Sequence, residues 1–137
     1  MKVFLGGTCN GSEWRKSIIP LLSVDYFNPV VENWTPECMD EELRQRDVCD
    51  ICLYVITPKM TGVFSIAEVI DDSNKRPNKT ILCVLENDGD VEFTKHQLNS
   101  MSQVCRMAST NGVKVFNTLG RTAHYINELA RLRNASK

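Results

Sequence analysis

The six residues Ile51-Cys52-Leu53-Tyr54-Val55-Ile56 carry no charge and show no alternation of apolar and polar side chains. A strand with one face in water alternates, whereas a strand of a parallel sheet that is covered on both faces is apolar throughout. The run therefore predicts a central strand of a parallel sheet with helices on either side.

Similar apolar runs occupy residues 2–5 and 80–85, and weaker strand candidates occupy 25–28 and 112–116. Helical patterns separate the runs, at residues 12–22, 37–47, 63–74, 95–108 and 119–134. We expect the helix at 37–47 to be charged and exposed, Asp71-Asp72 and Lys75-Arg76 to be the charged end of the helix at 63–74, and the acidic residues 86–95 to form a loop. Strands that alternate with helices are typical of βαβ units. We expect an α/β protein with a flavodoxin-like open sheet of about five parallel strands, helices on both faces, and one domain over residues 1–137.

Composition excludes several classes of function. The chain has 137 residues, 24% of them charged, and a formal net charge of −1, which argues against binding to a nucleic-acid polymer. No segment approaches the ~20 apolar residues of a membrane span. The six cysteines are expected to be reduced thiols in a cytoplasmic protein, because a chain of this length forms a core without disulfides.

A Cys-x-x-Cys pair at Cys49 and Cys52 raises the question of a metal site. Residues three apart in a strand point to opposite faces, and no second pair of ligands follows at zinc spacing. We therefore predict neither a metal nor another cofactor.

Ligands of such sheets bind beyond the carboxyl ends of the strands. The first stretch that lies there contains the substrate-binding candidates Gly6, Gly7, Thr8, Ser12 and Arg15. Glycines allow a close approach of the backbone, a helix start offers N–H groups to an anion, and arginine adds a charge-assisted bond. The alternative is an ordinary tight turn between strand and helix.

The second stretch, residues 28–34, offers Asn28, Asn33 and Trp34, whose amide and aromatic groups suit a base or a sugar. Pro29 and Pro36 stiffen it, so a proline-rich connection without ligand contact is the alternative.

The third stretch, residues 57–68, contains Gly62, Ser65 and Glu68. On a helix, Ser65 and Glu68 share a face, and the residues around Glu68 are nearly all apolar. A carboxylate in such a setting is costly unless it is paired or functional, and desolvation raises its pKa. The alternative is a glutamate on the helix surface.

Two segments together resemble nucleoside 2-deoxyribosyltransferase-like proteins. The first is Val3-Phe4-Leu5-Gly6-Gly7-Thr8, followed by Trp14-Arg15 and Asn28-Pro29; the second is residues 49–56, followed by Gly62 and Ser65-Ile66-Ala67-Glu68. The resemblance covers residues 2–85. It implies a flavodoxin-like fold, a homodimer or larger homo-oligomer, and a small nucleoside or nucleotide as partner.

The chemistry that this resemblance implies is cleavage of the bond between a base and C1′ of a (deoxy)ribose. Glu68 then corresponds to the nucleophile that forms a glycosyl-enzyme intermediate, and Glu42 to an acid that protonates or orients the base. Glu41 is a neighbouring candidate for the acid, and solvated helix charges are the alternative for both. Family transferases also carry an aspartate before the nucleophile helix, where this chain has Met60-Thr61-Gly62. That departure leaves hydrolysis open beside base exchange.

Three other functions remain compatible with the sequence. One is an NAD-type glycohydrolase that uses the same glutamate, and another is a non-catalytic module that binds or sequesters a nucleotide. A flavodoxin-type electron carrier has the same fold class.

Overall fold

Five parallel strands form the main sheet of the computed structural model, which describes residues 1–136. The strands of the protein are β1 (Lys2–Gly7), β2 (Asp25–Phe27), β3 (Ile51–Ile56), β4 (Thr80–Val84), β5 (Asn87–Asp88), β6 (Val91–Glu92) and β7 (Lys114–Phe116). The sheet has the order β2-β1-β3-β4-β7, and every neighbouring pair is parallel. The predicted flavodoxin-like sheet is confirmed.

Four α-helices lie between strands of the protein, and a fifth follows the last strand. They are α1 (Trp14–Ile18), α2 (Pro36–Val48), α3 (Phe64–Lys75), α4 (Lys95–Thr110) and α5 (Leu119–Ala135). The helix predicted over residues 12–22 is shorter, because Pro20 has no N–H for a helical bond and lies in a 3₁₀ turn, Ile19–Leu21. Ser12 does not cap α1, since Glu13 occupies the position before the helix.

The side chains of β3 divide between two cores. Leu53 and Val55 pack with Trp14 and Ile126 under α1 and α5, whereas Tyr54 and Ile56 pack in the core under α3 and α4. All six residues of β3 are buried, which is the physical reason for its uninterrupted apolar sequence. Helices therefore cover both faces. Among residues 1–136 none of the helices has the length and apolar character that crossing a membrane requires.

Two local predictions were wrong. Residues 86–95 were expected to form a loop, but β5 and β6 pair there as a small antiparallel hairpin, and α4 begins at Lys95. The segment 37–47 was expected to be an exposed helix, but Gln45 and Arg46 of α2 are buried. Their burial depends on polar partners in other elements, which the sequence pattern does not reveal.

The two cysteines of the Cys-x-x-Cys pair lie in the same core, contrary to the expectation of opposite faces. Cys49 ends α2 instead of belonging to the strand, and its thiol donates to Gln45 Oε1 at 3.3 Å. The Cys52 thiol donates to the carbonyl of Arg46 at 3.2 Å. Both cysteines are free, and residues 1–136 hold no cluster of three or more His, Cys, Asp or Glu side chains suited to a metal.

Gly7 ends β1 in a backbone conformation that other residues rarely adopt, with φ of +123°. A Cβ atom there would lie 2.0 Å from the carbonyl oxygen of Val55 on β3. We therefore expect Gly7→Ala to lower the free energy of unfolding by about 3 kcal/mol. Urea denaturation measures it, with Gly120→Ala as control because the space around Gly120 is open. Equal losses in the two variants would contradict this explanation.

Candidate active site

A cavity of about 340 Å³ opens at the carboxyl ends of β1 and β3. This is the point at which the strand order reverses, where ligands bind in sheets of this type. Nine of the twelve residues predicted as catalytic or substrate-binding line it: Gly6, Gly7, Thr8, Arg15, Trp34, Glu42, Gly62, Ser65 and Glu68. The three predicted stretches thus meet at one place, together with α2.

The other three predicted residues do not line the cavity. Ser12 Oγ donates to Asp88 Oδ2 at 2.6 Å and so ties the first loop to the β5–β6 hairpin. Asn28 Oδ1 accepts from the backbone N–H of Val30 at 3.1 Å, and Asn33 is exposed. The sequence pattern identified which loops lie at the cavity. It did not identify which side chains of those loops face the cavity.

Seven further residues line the cavity: Phe4, Cys9, Asn10, Pro29, Met60, Thr61 and Phe64. All except Phe4 lie within the stretches that the sequence placed at the strand ends. Asn10 Nδ2 donates to Thr61 Oγ1 at 2.9 Å and so joins the first and third loops across the cavity wall.

Glu68 lies on the second turn of α3, and its side chain is 13% exposed. Burial raises the pKa of this carboxyl to about 7; Arg46 opposes the increase, while Glu42 and Asp72 add to it. The Nη1 atom of Arg46 lies 3.8 Å from Glu68 Oε2. A group with this pKa takes up and releases protons near neutral pH.

Glu42 is placed by α2 on the same cavity and is partly buried. Burial raises the pKa of its carboxyl, and the positive charges of Arg46 and Arg15 act in the opposite direction. Two carboxyl groups with raised pKa values therefore share one cavity, and carboxyl groups so placed can serve acid–base and nucleophilic chemistry.

Arg15 lines the cavity, but the nitrogens of its guanidinium donate hydrogen bonds to backbone carbonyls. Nε and Nη2 donate to the carbonyl of Leu5 at 3.1 and 3.0 Å, and Nη1 donates to the carbonyl of Thr8 at 2.7 Å. The guanidinium also stacks on the ring of Trp14, 4.3 Å from its centroid. These bonds fix the end of β1 and the start of the first loop.

Beneath Glu68 lies a buried ionic network that centres on Asp72, which has no exposed surface. Asp72 accepts bonds from Arg46 Nε and Nη2 at 3.2 and 2.8 Å, from the Tyr54 hydroxyl at 2.5 Å, and from Arg76. The interpretation of Asp71-Asp72 and Lys75-Arg76 as a charged helix end was therefore wrong for Asp72. The charges along α3 alone do not indicate that Tyr54 on β3 and Arg46 on α2 contact Asp72.

The family model described as nucleoside 2-deoxyribosyltransferase like matches residues 1–87. The chain belongs to this family. No curated protein and no solved structure matches the chain. The matched residues include the first three helices and all nine predicted residues that line the cavity. The resemblance noted in the sequence is confirmed, and the family supports a small-molecule nucleoside as partner.

Proposed function

We propose that the protein cleaves or transfers the N-glycosidic bond of a nucleoside or nucleotide, with Glu68 as nucleophile and Glu42 as general acid. Membership of the nucleoside 2-deoxyribosyltransferase-like family supports the class of reaction. The single observation that carries the proposal is the burial of the Glu68 carboxyl in the cavity at the strand ends, close to a second carboxyl.

The reaction has two balanced steps. In the first, a carboxylate oxygen of Glu68 bonds to C1′ while the bond between C1′ and the base nitrogen breaks and Glu42 gives a proton to the base. In the second, water or another base attacks C1′, the ester to Glu68 breaks, and Glu42 takes back a proton. The raised pKa of Glu42 suits the role of proton donor.

The charge of the cavity favours a nucleoside over its 5′-phosphate. Among the residues that the structure describes, Arg15 is the one cation on the cavity wall, and it donates to the carbonyls of Leu5 and Thr8. Glu42 and Glu68 are both acidic, so they disfavour a dianionic phosphate nearby. We expect the nucleoside to react at least about tenfold faster than the monophosphate, a difference of ~1.4 kcal/mol.

The absence of an acid at Met60-Thr61-Gly62, where family transferases carry one, favours water over a second base as the acceptor. The test incubates the protein with ribo- and deoxyribonucleosides, their 5′-monophosphates and NAD, with and without a second free base, and quantifies free base and new nucleoside by chromatography. Release of a nucleoside base supports the proposal. Release of nicotinamide alone, or binding without any product, would reject it.

The rate of base release should depend on the ionisation of Glu68. Because only the carboxylate attacks C1′ and burial raises its pKa to about 7, kcat/KM should rise with pH up to neutrality. It should fall again at higher pH, where Glu42 loses the proton that it gives to the base. At pH 5 only about one hundredth of Glu68 is ionised, so on the acid side the rate should fall about tenfold per pH unit. A pH profile in a constant-ionic-strength buffer measures this. A plateau that continues down to pH 5 would show that a carboxyl with an ordinary pKa performs the step.

The cytoplasmic location and the homodimer or larger assembly stay predictions. Light scattering coupled to size-exclusion chromatography measures the number of copies directly.

A further inference from the structure

Arg46 connects the buried network to the cavity. It lies on α2, one turn after Glu42, and its side chain is 6% exposed. The Nε and Nη2 edge of its guanidinium forms a two-point contact with Asp72, at 3.2 and 2.8 Å. Nη2 also donates to Asp71 at 3.0 Å. The remaining Nη1 is the atom that faces Glu68, at 3.8 Å from Oε2.

The orientation of Nη1 is therefore set by Asp72. A guanidinium is planar and rigid, so a two-point contact on one edge fixes the direction of the remaining nitrogen. Asp72 is itself held by the Tyr54 hydroxyl from β3 and by Arg76 at the end of α3. Glu68 thus lies beside a positive charge whose position does not depend on Glu68.

We propose that Arg46 is a positioning residue for Glu68, and that its fixed Nη1 holds the Glu68 carboxylate in place and in the charged form that attacks C1′. This inference rests on the proposed function. The nucleophile on α3 then depends on a buried arginine on α2, and Asp72 holds that arginine in place.

The charged groups around Glu68 determine what removal of Arg46 does. Glu42 faces it from α2, Asp72 from its own helix, and the Tyr54 hydroxyl lies close by on β3. Arg15 from α1 acts on Glu42. Of these groups, only Arg46 lowers the pKa of Glu68, and burial, Glu42 and Asp72 raise it. Without Arg46 the carboxyl should keep its proton to higher pH.

The test measures the ionisation of Glu68 directly and the reaction separately. Protein labelled with ¹³C at the glutamate carboxyl carbon is titrated by NMR, and the Glu68 signal is identified by its loss in Glu68→Gln. In Arg46→Gln the midpoint should rise by at least about one pH unit, and the acid side of the kcat profile should move with it while KM changes by less than about twofold. Arg46→Lys, which retains the charge, should recover at least half of the shift.

Two further variants separate electrostatics from structural damage. Arg44→Gln, which removes an exposed arginine paired with Glu41 on the same helix, should leave the midpoint unchanged. Asp72→Asn keeps the shape of its side chain but breaks the two-point contact that orients Arg46. The midpoint should therefore rise, as in Arg46→Gln, whereas loss of the Asp72 charge alone would lower it. If Arg46→Gln does not fold, the Glu68 midpoint in Asp72→Asn tests the role of Arg46.

The titration distinguishes failure of this inference from failure of the proposed function. An unchanged Glu68 midpoint in Arg46→Gln, or a lowered midpoint in Asp72→Asn, would overturn the role of Arg46 whatever the activity. Absence of base release from the parent protein would reject the proposed function while the titration still reported on Arg46.

Discussion

Replacement of Glu68 by glutamine is expected to reduce base release by at least about a thousandfold, because an amide oxygen does not form the glycosyl ester. The change is nearly isosteric, so the cavity should keep its shape and KM should change little. Single-turnover measurements of base release give the effect on chemistry. Glu128→Gln, which alters an exposed glutamate of α5 paired with Arg131, should leave the rate unchanged.

The same variant should be more stable than the parent protein at pH 8. Burial raises the pKa of Glu68 in the folded protein to about 7, so the folded state binds more protons than the unfolded state between about pH 4.5 and 7. Stability contributed by this group is therefore lost as pH rises through that window. Glutamine carries no charge, and we expect a gain of about 2 kcal/mol at pH 8 and almost none at pH 4.5.

Urea denaturation of both proteins at the two pH values measures this difference. A gain that appears only at the higher pH would identify Glu68 as a carboxylate kept in the cavity at the expense of stability. Equal stability of the two proteins at pH 8, or a loss of activity below about tenfold, would contradict the role assigned to Glu68.

Removal of Asp72 should have the largest effect on stability. Asp72→Ala leaves Arg46, 6% exposed, without its two-point partner and leaves the buried hydroxyl of Tyr54 without an acceptor. Breaking a buried ionic pair by removing one partner costs about 3–5 kcal/mol. For a protein of this size the melting temperature should fall by roughly 10–15 °C.

The neighbouring Asp71→Ala is the matched control. Asp71 is on the same helix and also contacts Arg46, but its side chain is 42% exposed, so its ion pairs are worth at most about 1 kcal/mol. Thermal unfolding followed by circular dichroism compares the two variants. If they lost the same stability, Asp72 would not be the centre of the network.

The fold could be predicted from sequence because burial itself leaves a pattern. The uninterrupted apolar run of β3 and the weaker runs beside it identified the strands, and the polar stretches after them identified the edge where the cavity lies. Pro20 marked the place where the first helix had to change form. These signals are local, and each depends on residues that are adjacent in the chain.

The buried ionic network could not be predicted in the same way. Arg46 and Asp72 are 26 positions apart and sit among other charged residues of α2 and α3, so each resembles a solvated helix charge. Their burial follows from the packing of α2 and α3 beside Tyr54, which is a property of three-dimensional structure. Glu68 was identifiable because its immediate neighbours are apolar, whereas Arg46 gave no comparable local signal.

In the proposed reaction Glu68 forms a covalent bond to C1′ of the sugar. The most direct measurement uses the nucleoside whose base is released, with fluorine in place of hydrogen at C2′ so that the second step slows more than the first. Digestion and mass spectrometry should then find the fluorinated sugar on the peptide that contains Glu68, and on no peptide of Glu68→Gln. The sugar on a different residue, or base release with no labelled peptide under conditions that slow the second step, would contradict the role of Glu68 as nucleophile.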